Sequence, residues 1–131
     1  MILVTGGTGL LGSQLVFDLV SSGNAVRVFK RSSSDISILQ KKFTGNKNLL
    51  SNIEFADGDV LDIFSIQDAL KGITKVYHCA ALVSFEPKYI NQMMQTNVQG
   101  TENMVNACLE SGVEKFCYVS SVAALGRNKS E

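Results

Sequence analysis

The sequence predicts a doubly wound α/β domain, a five-stranded parallel sheet in the order 3-2-1-4-5 with helices on both faces. Three observations predict it. Short apolar runs recur along the chain, segments with helical spacing separate most of them, and a glycine cluster stands between the first run and the first helical segment. Strands separated mainly by helices pair in parallel with right-handed crossovers, because parallel neighbours cannot be joined by tight hairpins.

Ile2–Thr5 is an apolar run ended by Gly6-Gly7, which reads as a buried strand feeding a turn. A helix from Leu10 to Val20 follows, with Leu11, Leu15, Phe17, Leu19 and Val20 around its period and a stop at Ser21-Ser22-Gly23-Asn24. Ala25–Phe29 is the second strand. Ser32–Asp35 can cap a helix through Ile36, Leu39 and Phe43, and the polar stretch Thr44–Asn52 reads as a surface loop. Ile53–Ala56 is the third strand, entering Asp57-Gly58-Asp59; Ile63–Leu70 is a short helix closed by Gly72; Lys75–Cys79 is the fourth strand. Beyond Pro87, the residues Ile90, Met93, Met94, Val98, Met104, Val105, Cys108 and Leu109 recur at three- and four-residue steps, which predicts one long helix over Tyr89–Ser111. Phe116–Val119 is the fifth strand, and the chain turns polar after Ser120-Ser121.

With 131 residues and 45% hydrophobic content, the chain holds one domain with a real core. Lys plus Arg balance Asp plus Glu at 12 each, so no net field draws nucleic acid or an anionic membrane. The partner must therefore be found at a site. The 3 cysteines, Cys79, Cys108 and Cys117, lie in apolar runs without C-x-x-C spacing, which fits free thiols in a reducing cytoplasmic setting. His78 is the single histidine, so a zinc site lacks its usual ligands and no metal is expected. The apolar segment before the first glycines is too short for a signal peptide or a membrane span.

The cluster Gly6-Gly7-Thr8-Gly9-Leu10-Leu11-Gly12 fits G-x-G-x-x-G through Gly7, Gly9 and Gly12, and G-x-x-G-x-x-G through Gly6, Gly9 and Gly12. Such a motif alone is weak, but here it follows a strand, opens a helix and lies in a strand–helix–strand unit. Glycines allow a tight turn and close backbone approach, while unpaired N–H groups at the helix start receive a pyrophosphate, Leu10 and Leu11 donating through their main chains. The end of the second strand selects the coenzyme, since an acid there accepts ribose hydroxyls of NAD and a base accommodates the 2′-phosphate of NADP. Here it reads Phe29-Lys30-Arg31-Ser32-Ser33, with no acid before Asp35. Arg31, backed by Lys30 and Ser32, therefore favours NADP, with NAD as the alternative.

Six segments, Thr5–Gly12, Val26–Arg31, Gly58–Asp62, Tyr77–Ala81, Asn97–Thr101 and Tyr118–Ala123, occur in an order that resembles the extended short-chain dehydrogenase/reductase family. The likeness is to its NAD-dependent epimerase/dehydratase group, most of all the dihydroflavonol-reductase-like branch, and it covers the whole chain. The resemblance implies a Rossmann-type domain in which Asp59 and Val60 flank the adenine and the Asp59 carboxylate accepts from the exocyclic amine. A turn or helix-capping acid is the alternative for Asp59, and Asp57 and Asp62 could be the same. It also implies that Ala80 and Ala81 stay small so the dinucleotide can pass the backbone, that Asn97 organises the cofactor site from behind, and that Ser121, next to Ser120, is the catalytic serine. A strand-ending serine that caps the chain is the alternative for Ser121, and His78 and Cys79 read as structural.

The family pairs that serine with a Tyr of a Y-x-x-x-K motif, and here the sequence departs from it. Tyr77, Tyr89 and Tyr118 are followed four residues on by Ala81, Met93 and Val122. The chain is thus expected to be the dinucleotide-binding part of a longer enzyme, inactive alone, whose remainder carries the motif and the lobe for a small-molecule substrate. The parent is expected to move hydride between NADP and a carbonyl or alcohol carbon. A sugar-nucleotide epimerase or dehydratase using NAD, and a non-catalytic dinucleotide-sensing module, are the alternatives. Relatives often dimerise through two long helices per subunit, of which Tyr89–Ser111 would be one, and a homodimer stays open.

Overall fold

The computed structural model describes residues 1–126; of the stretch expected to turn polar after Ser120-Ser121, residues 127–131 lie outside the described residues. Strand β1 (Ile2–Thr5) is buried at every residue, as a strand covered on both faces must be. It pairs in parallel with β2 (Val26–Lys30) on one side and β4 (Lys75–His78) on the other. Outside these lie β3 (Ile53–Asp57) and β5 (Lys115–Tyr118), giving the expected order β3-β2-β1-β4-β5. Thr5 is level with both Phe29 and His78, so the carboxyl ends of the three central strands form one edge. The chain leaves β1 in opposite directions across the sheet, towards β2 first and β4 later, and at such a switch point a crevice opens.

Alternation along the strands feeds two cores. On one face Ile2, Val4, Val26 and Val28 pack with Val16 and Val20 of α1 (Leu10–Ser21), Leu39 of α2 (Ser37–Lys42) and Phe43. On the other, Leu3, Phe29 and Val76 pack with Ile66 and Ala69 of α3 (Ile63–Ala69) and with Met104, Ala107 and Cys108 of the last helix. The Asp62 carboxylate caps α3 by accepting from Phe64 N at 3.1 Å.

Of the apolar residues that mark the period of the first helix, only Val20 is fully buried, and the buried positions of the helix are Gly12, Ser13, Val16 and Val20. The reason is distance: a Cβ on Gly12 would stand 2.2 Å from Gly6 O, so the helix start lies too close to the loop for a leucine. The stretch expected as a loop before β3 contains a 3-10 turn, Lys47–Asn52, whose Leu49 packs against the first core.

The long helix differs most from expectation. A 3-10 turn at Pro87–Tyr89 leads into α4 (Ile90–Met94), a π-helical segment at Gln95–Gln99 interrupts it, and α5 (Gly100–Glu110) completes it. A π turn holds one extra residue and re-aims the side chains around it. Here it accompanies the Asn97 amide reaching back to the chain after β4, whose Leu82 N and O it binds at 2.7 and 2.8 Å. Ile90, Met94, Val98, Val105 and Leu109, expected in the apolar stripe, remain exposed.

Candidate functional site

The turn from β1 into α1 is built on Gly6, whose φ of 66° is costly for any residue with a Cβ. A Cβ there would also lie 2.7 Å from Ala80 N and the Cys79 carbonyl carbon, so the loop rests directly on the backbone that follows β4. Gly9 N donates to Gly6 O at 3.0 Å, and Ser13 N to Gly9 O at 2.9 Å opens the helix. Gly9 is different. It has an ordinary φ of −81°, and a Cβ added to it would meet only Gly6 O, at 3.4 Å, a normal contact. Packing within the protein therefore explains Gly6 and Gly12, whereas it leaves room for a side chain at Gly9. No side chain caps α1, so the amides of its first turn, those of Leu10 and Leu11 included, have no partner in the helix.

A cleft of about 350 Å³ follows this edge of the sheet. It begins at Arg31, Ser34 and Asp59 beyond β2 and β3, passes Gly6, Thr8 and Gly9, and reaches Ala80, Ala81 and Leu82 beyond β4.

The charges at its first end are divided among partners. Lys30, with its side chain 13% exposed, pairs with Asp57, the residue opposite it in the β2–β3 register. Arg31 is exposed and lines the cleft, and its guanidinium has no hydrogen-bond or ion-pair partner among the described residues. Asp59 Oδ1 accepts from Leu61 N at 2.9 Å, which fixes the turn after β3 and leaves its other oxygen without a partner among the described residues. Val60 lines the cleft from below and is pressed against Gly100, where a Cβ would come within 2.6 Å of it.

The other end is held by an unbroken set of hydrogen bonds. His78 is fully buried, with Nδ1 2.8 Å from Thr5 Oγ1 and Nε2 3.1 Å from Thr101 Oγ1. Thr5 Oγ1 also accepts from Ala80 N at 3.1 Å, and Thr101 Oγ1 donates to Asn97 O at 2.8 Å. With the Thr101 proton committed to Asn97 O, the imidazole must donate from Nε2 and accept at Nδ1 from the Thr5 hydroxyl. Burial pushes the His78 pKa down to about 4, which keeps the ring neutral.

Residues 3–131 match the 3-beta hydroxysteroid dehydrogenase/isomerase family. The chain belongs to this family. It thereby stands within the extended short-chain dehydrogenase/reductase superfamily that the motifs resemble. Among curated relatives, sterol demethylase protein B of Methylococcus capsulatus is 37% identical over 126 residues, which are 96% of this chain and 36% of the relative. A 3 beta-hydroxysteroid dehydrogenase/Delta 5-->4-isomerase of Mycobacterium tuberculosis is 32% identical over 126 residues, 92% of this chain and 31% of the relative. The chain thus spans about a third of the length of these relatives. Among solved structures, a UDP-glucose-4-epimerase from Stenotrophomonas maltophila with bound NAD and formylated UDP-arabinopyranose superposes with a TM-score of 0.83 at 26% identity, over 98% of this chain and 39% of that one. A short-chain dehydrogenase/reductase superfamily protein from Agrobacterium tumefaciens with bound NAD gives 0.77 at 30% identity, over 98% of this chain and 35% of that one.

In this family member the cleft gathers Gly6, Thr8, Gly9, Lys30, Arg31, Asp59, Val60, Ala80 and Ala81 of the residues singled out in the sequence. Gly12 lies beneath the loop, Asn97 acts behind the cleft through Leu82, and Leu10 and Leu11 expose their side chains. Ser120 and Ser121 are exposed past β5 and do not line it; Ser121 Oγ accepts from Ala123 N at 3.2 Å and caps the turn Val122–Leu125. Sequence reasoning missed Gln92, Gln95 and Thr96, which form the wall opposite the loop. Their spacing of three and four residues, which puts the three polar side chains on one face of the expected helix, was a readable signal. Cys79 also lines the cleft, its thiol pushed up by burial and, secondarily, by the neighbouring Cys117, so it stays protonated and weakly nucleophilic. Among the described residues no group of three His, Cys, Asp or Glu could hold a metal, and no helix is long and apolar enough to cross a membrane.

The depressed His78 pKa ties stability to pH. Between the ordinary value of 6.5 and about 4, the unfolded chain binds a proton that the folded one refuses, so stability declines as pH falls through that window. The whole decline amounts to at most about 3 kcal/mol. Because the chain has 1 histidine, and carboxylates titrate lower, urea unfolding between pH 6.5 and about 5 should show this slope. A flat profile there would contradict the neutral, buried ring.

Proposed function

We propose that this chain forms the coenzyme-binding part of an oxidoreductase that moves a hydride between a nicotinamide and a carbonyl or alcohol carbon, with NADP as the preferred coenzyme. The observation that carries the reading is Gly9. Protein packing leaves space for a side chain there, the residue lines the cleft, and the amides beside it lack partners. A pyrophosphate seated on those amides accounts for all three facts, because it needs both the bare Cα and the unpaired N–H groups. The residues present fit such a coenzyme: Gly9, Leu10 and Leu11 for the pyrophosphate, Asp59 and Val60 for the adenine, Ala80 and Ala81 for close passage along the backbone.

The choice of NADP rests on Arg31. Lys30 is neutralised by Asp57, so Arg31 is the cation left to meet a 2′-phosphate, with Ser34 beside it in the cleft. The coenzyme supplies the hydride donor or acceptor. Relatives named as hydroxysteroid dehydrogenases favour an alcohol–ketone interconversion, of the kind the dihydroflavonol-reductase likeness also suggested. In the whole protein Ser121 would be the residue that hydrogen-bonds the reacting oxygen while its proton passes to a base. The competing reading, an epimerase using NAD, draws on solved relatives whose names include NAD and a sugar nucleotide.

Two substitutions test the proposal in the whole protein. Gly9→Ala should leave stability within about 1 kcal/mol of the parent, since alanine is only a poorer helix cap, yet raise the NADP dissociation constant at least tenfold. Gly12→Ala, which meets Gly6 O, should destabilise the fold by at least about 2 kcal/mol without ligand. Unaltered NADP affinity in Gly9→Ala, measured by calorimetry, would refute the pyrophosphate seat. Arg31→Asp should shift the ratio of NADP to NAD dissociation constants at least tenfold towards NAD. An unchanged ratio would refute the assignment of coenzyme and leave the pyrophosphate seat standing.

A further inference from the structure

The two ends of the segment Ala80–Leu82 are tied down by different parts of the fold. Ala80 N donates to Thr5 Oγ1 at the end of β1, and Leu82 N and O meet the Asn97 amide in the π turn. These anchors come from widely separated parts of the chain, and His78 stands between them, bonded at 2.8 Å to the threonine that holds Ala80 and at 3.1 Å to the threonine that holds Asn97. The ring is also confined laterally. Its centroid lies 5.9 Å from those of Phe116 and Tyr118 on β5, with Tyr118 nearly parallel at 23°.

We propose that neutral His78 is a positioning residue that couples the two anchors of Ala80–Leu82 and so sets the cleft wall after β4. The direction of the hydrogen bonds carries the coupling. Proceeding from Ala80, one N–H donates to Thr5, whose hydroxyl donates to His78 Nδ1; the ring donates from Nε2 to Thr101, whose hydroxyl donates to Asn97 O. Each group in this relay has one proton to give, so reversing the bond between His78 and either threonine forces the ring's other bond to turn as well. Removing the Thr101 hydroxyl strands a buried N–H on His78. The ring escapes that penalty by moving its proton to Nδ1; Nδ1–H then donates to Thr5 Oγ1, turns the hydroxyl proton away and competes with Ala80 N for the same oxygen. A defect introduced at the π turn thus reaches the opposite end of the wall, beside Gly6, which is packed against Ala80 N.

The consequence for coenzyme affinity rests on the dinucleotide reading; the coupling itself does not. The test compares Thr101→Val with Thr101→Ser in the whole protein, by amide hydrogen exchange without ligand and then by titration with NADP. In Thr101→Val the Ala80 and Leu82 amides should both exchange about tenfold faster, a change equivalent to about 1.4 kcal/mol, while Val28 and Met104 keep their protection. Thr101→Ser, which retains the hydroxyl, should restore both. NADP affinity should fall at least fivefold in the valine variant and return in the serine variant.

If Leu82 alone loses protection, Thr101 is a local cap and the coupling is refuted. A uniform loss across the sheet, or no rescue by serine, makes the residue merely structural and refutes it too. Should Thr101→Val fail to fold, His78→Gln serves instead, since its Nε2 can take the place of the ring Nε2 towards Thr101 while no acceptor remains at the position of Nδ1 beside Thr5. Ala80 should then lose protection while Leu82 keeps it, and the reverse pattern would overturn the proposal. If the parent protein binds no dinucleotide, the functional reading fails while the exchange pattern still decides the coupling.

Discussion

The site depends on one backbone contact, the seating of Gly6 between the start of α1 and the chain leaving β4. A Cβ at Gly6 would touch Ala80 N and the Cys79 carbonyl, and a Cβ at Gly12 would touch Gly6 O. Three main-chain segments therefore meet with nothing between them. This closeness points the N-terminus of α1 at the carboxyl edge of the sheet, and it brings the wall of the crevice beyond β4 up to the loop that follows β1. Hydrophobic burial on both faces supplies the stability, but it would tolerate a looser turn. The geometry of the crevice is set by main-chain atoms.

Electrostatics then gives the crevice a direction. Among the described residues, one end has an unpartnered guanidinium at Arg31 and a half-committed carboxylate at Asp59; the middle has unpaired amides; the far end is a neutral relay through His78 with no charged member. An elongated ligand with anionic groups near its middle and first end matches this order. The same arrangement explains why His78 is unavailable for proton transfer, since both its nitrogens are committed and its pKa lies at about 4.

Much of this was legible in the sequence, because it follows from local rules. The switch from strand to helix at Gly6–Gly12, the alternation that sends Leu3 to one core and Val4 to the other, and the strand order all come from periodicity and connection handedness. What escaped depends on partners distant in sequence. The π turn is tied to the Asn97 amide meeting Leu82 across 15 residues, which no helical periodicity reveals. Lys30 looked like a second cation for a phosphate until β3 placed Asp57 opposite it. Val98 and Leu109 fit a helical repeat and still face outward, since period alone does not say which stripe meets the sheet. His78, read as a structural residue, is structural in a more specific sense, as the link between Thr5 and Thr101, which stand far apart in the sequence.

The most direct test of the central claim observes the main-chain amides themselves. In the whole protein, titration with NADP followed by nitrogen–proton correlation spectra should move the Leu10 and Leu11 amides strongly downfield, as donors to a phosphate do, and Ala80 should shift along the same binding curve. Saturable coenzyme binding that left those two amides unmoved would contradict the account.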